Sequence, residues 1–153
     1  MKAPNAGAVD NFGETVALAG DTLAVGAKYE DSCSSDDPSD DSCSGSGAVY
    51  VFVRSGTTWD LQQYLKASNP GIDDWFGESL VLDGQTLVTG ASNEKSCSQT
   101  DQTDAGCYSA GAAYVFVRNG TTWSQQVAHR CVRRATHAGV KNAETAAPVG
   151  VYM

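Results

Sequence analysis

Five cysteines, two histidines and an Asp-rich stretch carry most of the chemistry available to this chain. Cys33 and Cys43 bracket one long polar segment and Cys97 and Cys107 bracket a second, with partners ten positions apart in both. Pairing within each segment is the simplest connectivity. Four-cysteine zinc sites favour pairs about two to four residues apart, which this spacing does not offer. The reading is therefore two disulfides, Cys33–Cys43 and Cys97–Cys107. Disulfides persist in oxidising compartments, which points to an extracellular, cell-surface or periplasmic origin. Cys131 is left over, free or paired with another chain.

The first bracketed segment also holds Asp31, Asp36, Asp37, Asp40 and Asp41. Calcium takes clustered carboxylate and carbonyl oxygens. Only Asp37 and Asp40 return in the second segment, as Asp101 and Asp104; Asp31, Asp36 and Asp41 become Lys95, Thr100 and Ala105. Two readings stay open: a solvated acidic loop with no cofactor, and a calcium site on Asp37, Asp40, Asp101 and Asp104.

Catalytic arrangements are absent from the pattern. His129 and His137 both lie in the last stretch of the chain, away from the ordered alternation that could place them beside a nucleophile. No Gly-x-Ser-x-Gly elbow and no phosphate-binding glycine loop occurs. Asp10 and Glu14 return as Asp74 and Glu78, in phase with Phe-Gly pairs, which suits capping of a loop. Asn119-Gly120-Thr121 matches a glycosylation acceptor in a host that glycosylates. Trp59 and Trp123 each follow a turn and suit packing between structural units. Trp75 has Asn11 as its counterpart, which makes it the best candidate for contact with a ligand.

These residues sit on a repeat. DNFGETVALAGDTLAVGA from Asp10 returns as DWFGESLVLDGQTLVTGA from Asp74, and AVYVFVRSGTTW from Ala48 returns as AAYVFVRNGTTW from Ala112, both at an offset of 64 without gaps. Each unit reads as four strands. In the first they are Thr15–Leu18, Leu23–Val25, Val49–Val53 and Trp59 towards Leu65. Gly20-Asp21, with Asp83-Gly84 opposite it in the second unit, and Ser55-Gly56, with Asn119-Gly120, mark hairpin turns. Val49, Val51 and Val53 line one face of a strand whose other face carries Tyr50 and Phe52, so the sheet is covered on both sides. Propeller blades meet that requirement. A β-sandwich is the alternative, but its strands show one wet face.

Composition narrows the function further. The chain has 153 residues, 41% of them hydrophobic, which suits one ordinary domain of about 100–200 residues. No run of about 18 apolar residues and no secretory-signal pattern is present. From Ala128 on, four basic residues stand against Glu144, a net +3, so the preceding body carries −11 of the total −8. An acidic body excludes the usual nucleic-acid footprint.

Asp10, Phe12, Gly13, Val25, Gly26 and Ala27, with Asp74, Phe76, Gly77, Thr89, Gly90 and Ala91, resemble the FG-GAP repeat of integrin-alpha-like β-propellers. The Ala-x-Tyr-Val-Phe and Gly-Thr-Thr-Trp stretches are similar to bacterial extracellular members. The resemblance covers Met1 to about Gln126 and implies a seven-bladed ring serving adhesion or ligand binding. The family's calcium loop in the first hairpin is here a two-residue turn, so that site is not carried over. The expectation is an all-β chain: one blade over 1–63, a second over 64–127, and an irregular, disordered tail over 128–153. The expected function is a non-enzymatic extracellular binding or adhesion module with a protein or glycan ligand, completed by further blades in cis or by homo-oligomerisation. The alternatives are a truncated piece of a longer propeller protein, or part of a propeller hydrolase or lyase.

Overall fold

A computed structural model describes residues 1–97 and 106–130. They form eight strands: β1 (Thr15–Ala19), β2 (Thr22–Ala27), β3 (Ala48–Ser55), β4 (Thr58–Leu65), β5 (Ser79–Asp83), β6 (Thr86–Ala91), β7 (Ala112–Asn119) and β8 (Thr122–Arg130). β1–β4 make one antiparallel sheet in sequence order and β5–β8 make another. These are two four-stranded propeller blades. Among the described residues no helix is long and apolar enough to cross a membrane.

Each tight hairpin begins with a glycine at positive φ: Gly20 (57°), Gly56 (61°), Gly84 (54°) and Gly120 (63°). Glycine first in a two-residue turn matches the right-handed twist of the flanking strands. The second unit's first turn therefore falls on Gly84 and Gln85, one residue later than the Asp83-Gly84 pair suggested, and Asp83 closes β5 opposite Thr86. The register of β3 on β4 shifts between Val51 and Phe52, and that of β7 on β8 shifts at the equivalent Val115 and Phe116. One extra residue in the outer strand, Gln62 or Gln126, makes each bulge.

Every blade has two apolar faces. The front of blade 1 carries Leu23, Tyr50, Phe52 and Trp59, with Phe12 of the preceding loop packed on them. Its back carries Ala24, Val49 and Val51, each with no exposed surface. The front of blade 2, with Phe76, Leu87, Tyr114, Phe116 and Trp123, lies on that back and forms the larger core. The strand with two apolar faces is thus explained: Val49 and Val51 face the next blade, and Tyr50 and Phe52 face away from it.

β4 runs to Leu65, as the sequence suggested, and β8 runs to Arg130, into the stretch read as tail. Pairing explains the extension of β8, since Arg130 stands opposite Ala112 at the start of β7. Residues 131–153, with Cys131 and His137, lie outside the described residues.

Candidate functional site

The long loops between the second and third strands of each blade gather at one end of the sheets. In blade 1 the loop over 28–47 is tied to itself. Cys43 N–H donates to Asp31 O (2.7 Å) and Gly47 N–H to Glu30 O (2.9 Å). Blade 2 repeats both bonds, from Cys107 to Lys95 O and from Gly111 to Glu94 O, each 2.9 Å. Cys33 and Cys43 stand at disulfide distance with Cα atoms 5.0 Å apart, and Cys97 and Cys107 with Cα atoms 4.9 Å apart.

Under the first loop lies an ionic knot that sequence reasoning missed. Lys66 Nζ donates to Glu30 Oε2 (2.9 Å), Ser46 Oγ (2.7 Å) and Gly47 O (2.6 Å). Glu30 also accepts from Tyr64 Oη (2.8 Å), Asn5 Nδ2 (3.2 Å) and Ser32 N–H (3.2 Å). The Lys66 and Glu30 side chains are 1% and 2% exposed. Burial pushes the Lys66 ammonium down from its ordinary value, against the opposing pull of Glu30. Burial, reinforced by Glu30, pushes the Tyr50 and Tyr64 phenols up. Such a sealed knot offers substrate no approach and ties loop, strand and inter-blade linker together. The signal was present in the sequence: Glu30 returns in phase as Glu94, and a basic residue stands at 2, 66 and 130.

The two blades meet through the loop leading into β5. Asp73 N–H donates to Ser44 O (2.7 Å), Trp75 N–H to Gly45 O (3.1 Å) and Phe76 N–H to Ser46 O (3.0 Å). Thr15 Oγ1 donates to Gly77 O (2.6 Å). A Cβ on Gly47 would overlap Phe76 O, so glycine is required for this approach, and its φ is +83°. A cleft of about 320 Å³ opens beside this seam, lined by Val9, Tyr29, Asp31, Ser44, Gly45 and Asp73. Its size is at the low end for small-ligand sites, roughly 300–1,000 Å³.

Trp75 stands at this seam. It is half-buried, with its ring edge-on to Tyr29 at 6.1 Å and Lys28 Nζ 5.9 Å from the ring centroid. Lys28 in turn pairs with Glu14 at 2.6 Å. Trp75 has φ of 63°, and Asn11, its counterpart, 54°. Trp123 packs between the blades, 2% exposed, and its Nε1 donates to the bulge residue Gln62 (2.9 Å). Trp59 does not: it is half-exposed on the front of blade 1.

The acidic positions are accounted for within the loops. Asp37 accepts from Ser39 N–H and Oγ (3.0 and 2.6 Å). Asp40 accepts from Cys33 N–H (3.1 Å) and from Ser42 N–H (3.2 Å) and Oγ (2.8 Å). Asp101 and Asp104 lie outside the described residues, and among those described no three metal-ligating side chains converge. Asp10 Oδ2 accepts from Gly7 N–H (2.7 Å), closing the loop into blade 1. Burial pushes the Asp10 carboxyl up, with Glu30, Asp31 and Asp41 adding to it. Its counterpart Asp74 instead meets Lys95 at 3.2 Å.

Comparison with known proteins agrees with this architecture. A family model described as FG-GAP repeat matches residues 1–52 and 59–116, well over half of the chain. No curated protein matches it.

Proposed function

The chain belongs to the FG-GAP repeat family, and from that membership we propose that it is a non-enzymatic, extracellular binding or adhesion module. Its contact surface in this reading is the loop end of the blades, around the cleft at Tyr29, Asp31 and Asp73 with Trp75 beside it. The observation that carries the reading is the construction of that cleft. Its walls come from both blades and are fixed by backbone hydrogen bonds across the seam. A preformed site loses little entropy on binding. Aromatic rings beside carboxylates suit a glycan or a polar protein surface.

Two cysteine pairs at disulfide distance support the extracellular assignment. The reading needs no bound cation, because Asp37 and Asp40 already serve as acceptors in their own turns. Excess calcium is then expected to leave the melting temperature unchanged.

Glycan and matrix-protein arrays probed with the oxidised chain test the proposal. Binding that is lost on Tyr29→Ala and Asp73→Ala, and kept on substitution of the exposed Asp60 near the start of β4, is the expected result. A folded chain that binds nothing on either array would count against it.

A further inference from the structure

The two blades are the same unit, yet equivalent residues differ in exposure, and the difference has a pattern. On the front, Phe76, Leu87 and Trp123 of blade 2 are 0%, 0% and 2% exposed, whereas Phe12, Leu23 and Trp59 of blade 1 are half-exposed. Leu80 and Leu82 pack into the core, whereas their counterparts Val16 and Leu18 are 63% and 65% exposed. On the back the order reverses. Ala24, Val49 and Val51 of blade 1 are fully buried, whereas Val88, Ala113 and Val115 of blade 2 are half-exposed. Val81, whose counterpart Ala17 is half-buried, is 63% exposed.

One contact accounts for all of this. Blade 2's front covers blade 1's back, leaving blade 1's front and blade 2's back without a facing blade among the described residues, with Tyr50 and Phe52 on that front buried under Phe12 and the N-terminal segment. The uncovered surfaces are repeat equivalents of the two that already fit each other, with Ala24 and Val49 exchanged in size as Val88 and Ala113 and Leu65 replaced by His129. From this we propose that the chain associates head to tail with a second copy of itself, the front of blade 1 of one copy seating on the back of blade 2 of the next. The proposal does not depend on any ligand.

Part of the polar seam repeats as well; the Gln63 bonds to the Trp123 backbone and the Gln125 bonds to Ser68 do not, because their counterparts are Val127, Leu61 and Pro4. Within the chain, Thr15 Oγ1 holds Gly77 O, and on blade 2 the hydroxyl at that position is Ser79, awaiting Gly13 O of the second copy. A cavity of about 550 Å³ stands there, lined by Ser79, Gly90, Ala110, Gly111 and Ala113. Its equivalent on blade 1 is filled by Phe76 and Gly77: a Cβ on Gly26 would strike Gly77 O, and one on Gly47 would strike Phe76 O. Blade 2 keeps glycine at both positions, and among the described residues neither meets a neighbouring blade: a Cβ on Gly90 would strike the Ser79 hydroxyl, and Gly111 sits at φ +75°. Two side-chain bonds across the seam also have successors by position, although Arg54 already pairs with Asp21 in the single chain. Arg118 Nη1 donates to Thr22 Oγ1 (3.1 Å), to be matched by Arg54 on Thr86, and Trp123 Nε1 donates to Gln62, to be matched by Trp59 on Gln126.

An interface of this kind joins two different surfaces, so it closes a ring or runs on as a filament. Three or four copies give six or eight blades, within the usual range of about four to eight for a closed propeller.

The test is solution mass by light scattering after size exclusion, on the full oxidised chain of 16.0 kDa. Wild-type chain is expected as a discrete species of three or four copies. Leu18→Glu spoils only the front and Val81→Glu only the back, and both positions are exposed in a single chain, so both variants should keep the wild-type circular dichroism. Each alone is expected as a monomer. Mixed one to one, they leave one intact front and one intact back, and a species of twice the chain mass should form. Val16→Glu serves as a second front variant with the same expectation. Wild-type chain that stays monomeric as its concentration rises, variants that still associate alone, or a mixture that yields no paired species would overturn the proposal.

Discussion

Replacing Lys66 by methionine should cost more than almost any other single change, and the structure says by how much. Lys66 supplies three donors to Glu30 Oε2, Ser46 Oγ and Gly47 O, in a place where its side chain is 1% exposed. Methionine keeps the length and the apolar stem but leaves the Glu30 carboxylate without a counter-charge. Breaking a buried ion pair by removing one partner costs about 3–5 kcal/mol, because the remaining charge stays desolvated. That is about a fifth or more of the stability of about 5–15 kcal/mol typical of a folded domain. With a urea slope of about 2 kcal/mol/M, the midpoint should fall by roughly 2 M at an unchanged slope. Adding Glu30→Gln removes the stranded charge while keeping an acceptor for Tyr64, so the double variant should be more stable than Lys66→Met alone. The assay is urea unfolding of the four species at neutral pH. A loss below about 1 kcal/mol for Lys66→Met, or a double variant at least as unstable as the single, would refute the reasoning.

Thr89 is 1% exposed and its hydroxyl meets no partner among the described residues, whereas the same position in blade 1 is Val25. Thr89→Val should therefore stabilise by about 1 kcal/mol in urea melts, and no gain would show that the hydroxyl is satisfied after all. Replacing Cys33 and Cys43 together by serine should cost about 2–3 kcal/mol, the chain-entropy value for a ten-residue separation, with reduction of the wild type showing the same direction. The raised Asp10 carboxyl means that the fold favours its protonated form, so its stabilising contribution is full below pH 3.8 and is lost as pH rises through the folded value. Asp10→Asn should accordingly melt above wild type at pH 7 and close to it near pH 3; an equal gap at both would contradict the linkage.

Most of the fold was legible because its signals are local. Alternation, turn glycines and the exact offset of 64 place all eight strands, and the doubly apolar Val49–Val53 asks for a cover on each side. What stayed hidden depends on neighbours that no local window contains. Trp59 and Trp123 sit in the same Gly-Thr-Thr-Trp context, yet one is half-exposed and the other buried, because only one has a blade in front of it. Nothing local marks Glu30 and Lys66 as buried, since such residues are almost never fully buried unless paired. Their pairing joins positions 36 residues apart in a loop and a linker. Trp75 reads as a free aromatic because its counterpart is Asn11, and the structure shows it half-buried against Tyr29 of the preceding blade. The loop carboxylates read as a cluster in composition, but Asp37 and Asp40 each turn into separate hydrogen-bonded turns.

The position of Lys66 also sets an order of events during synthesis. It is the residue immediately after β4, so the knot with Glu30 can close as soon as the fourth strand has left the ribosome, before any of blade 2 exists. Every strand pairs with its sequence neighbour, so blade 1 needs nothing downstream to assemble its own sheet. Its back is a different matter. Ala24, Val49 and Val51 wait for a covering surface that ends at Trp123, 58 residues beyond Leu65. At about 5–20 residues per second, that is an interval of roughly 3–12 s in which a finished sheet presents a bare apolar face. The early knot keeps that sheet in one register while it waits, and makes it a firm template on which the second blade condenses.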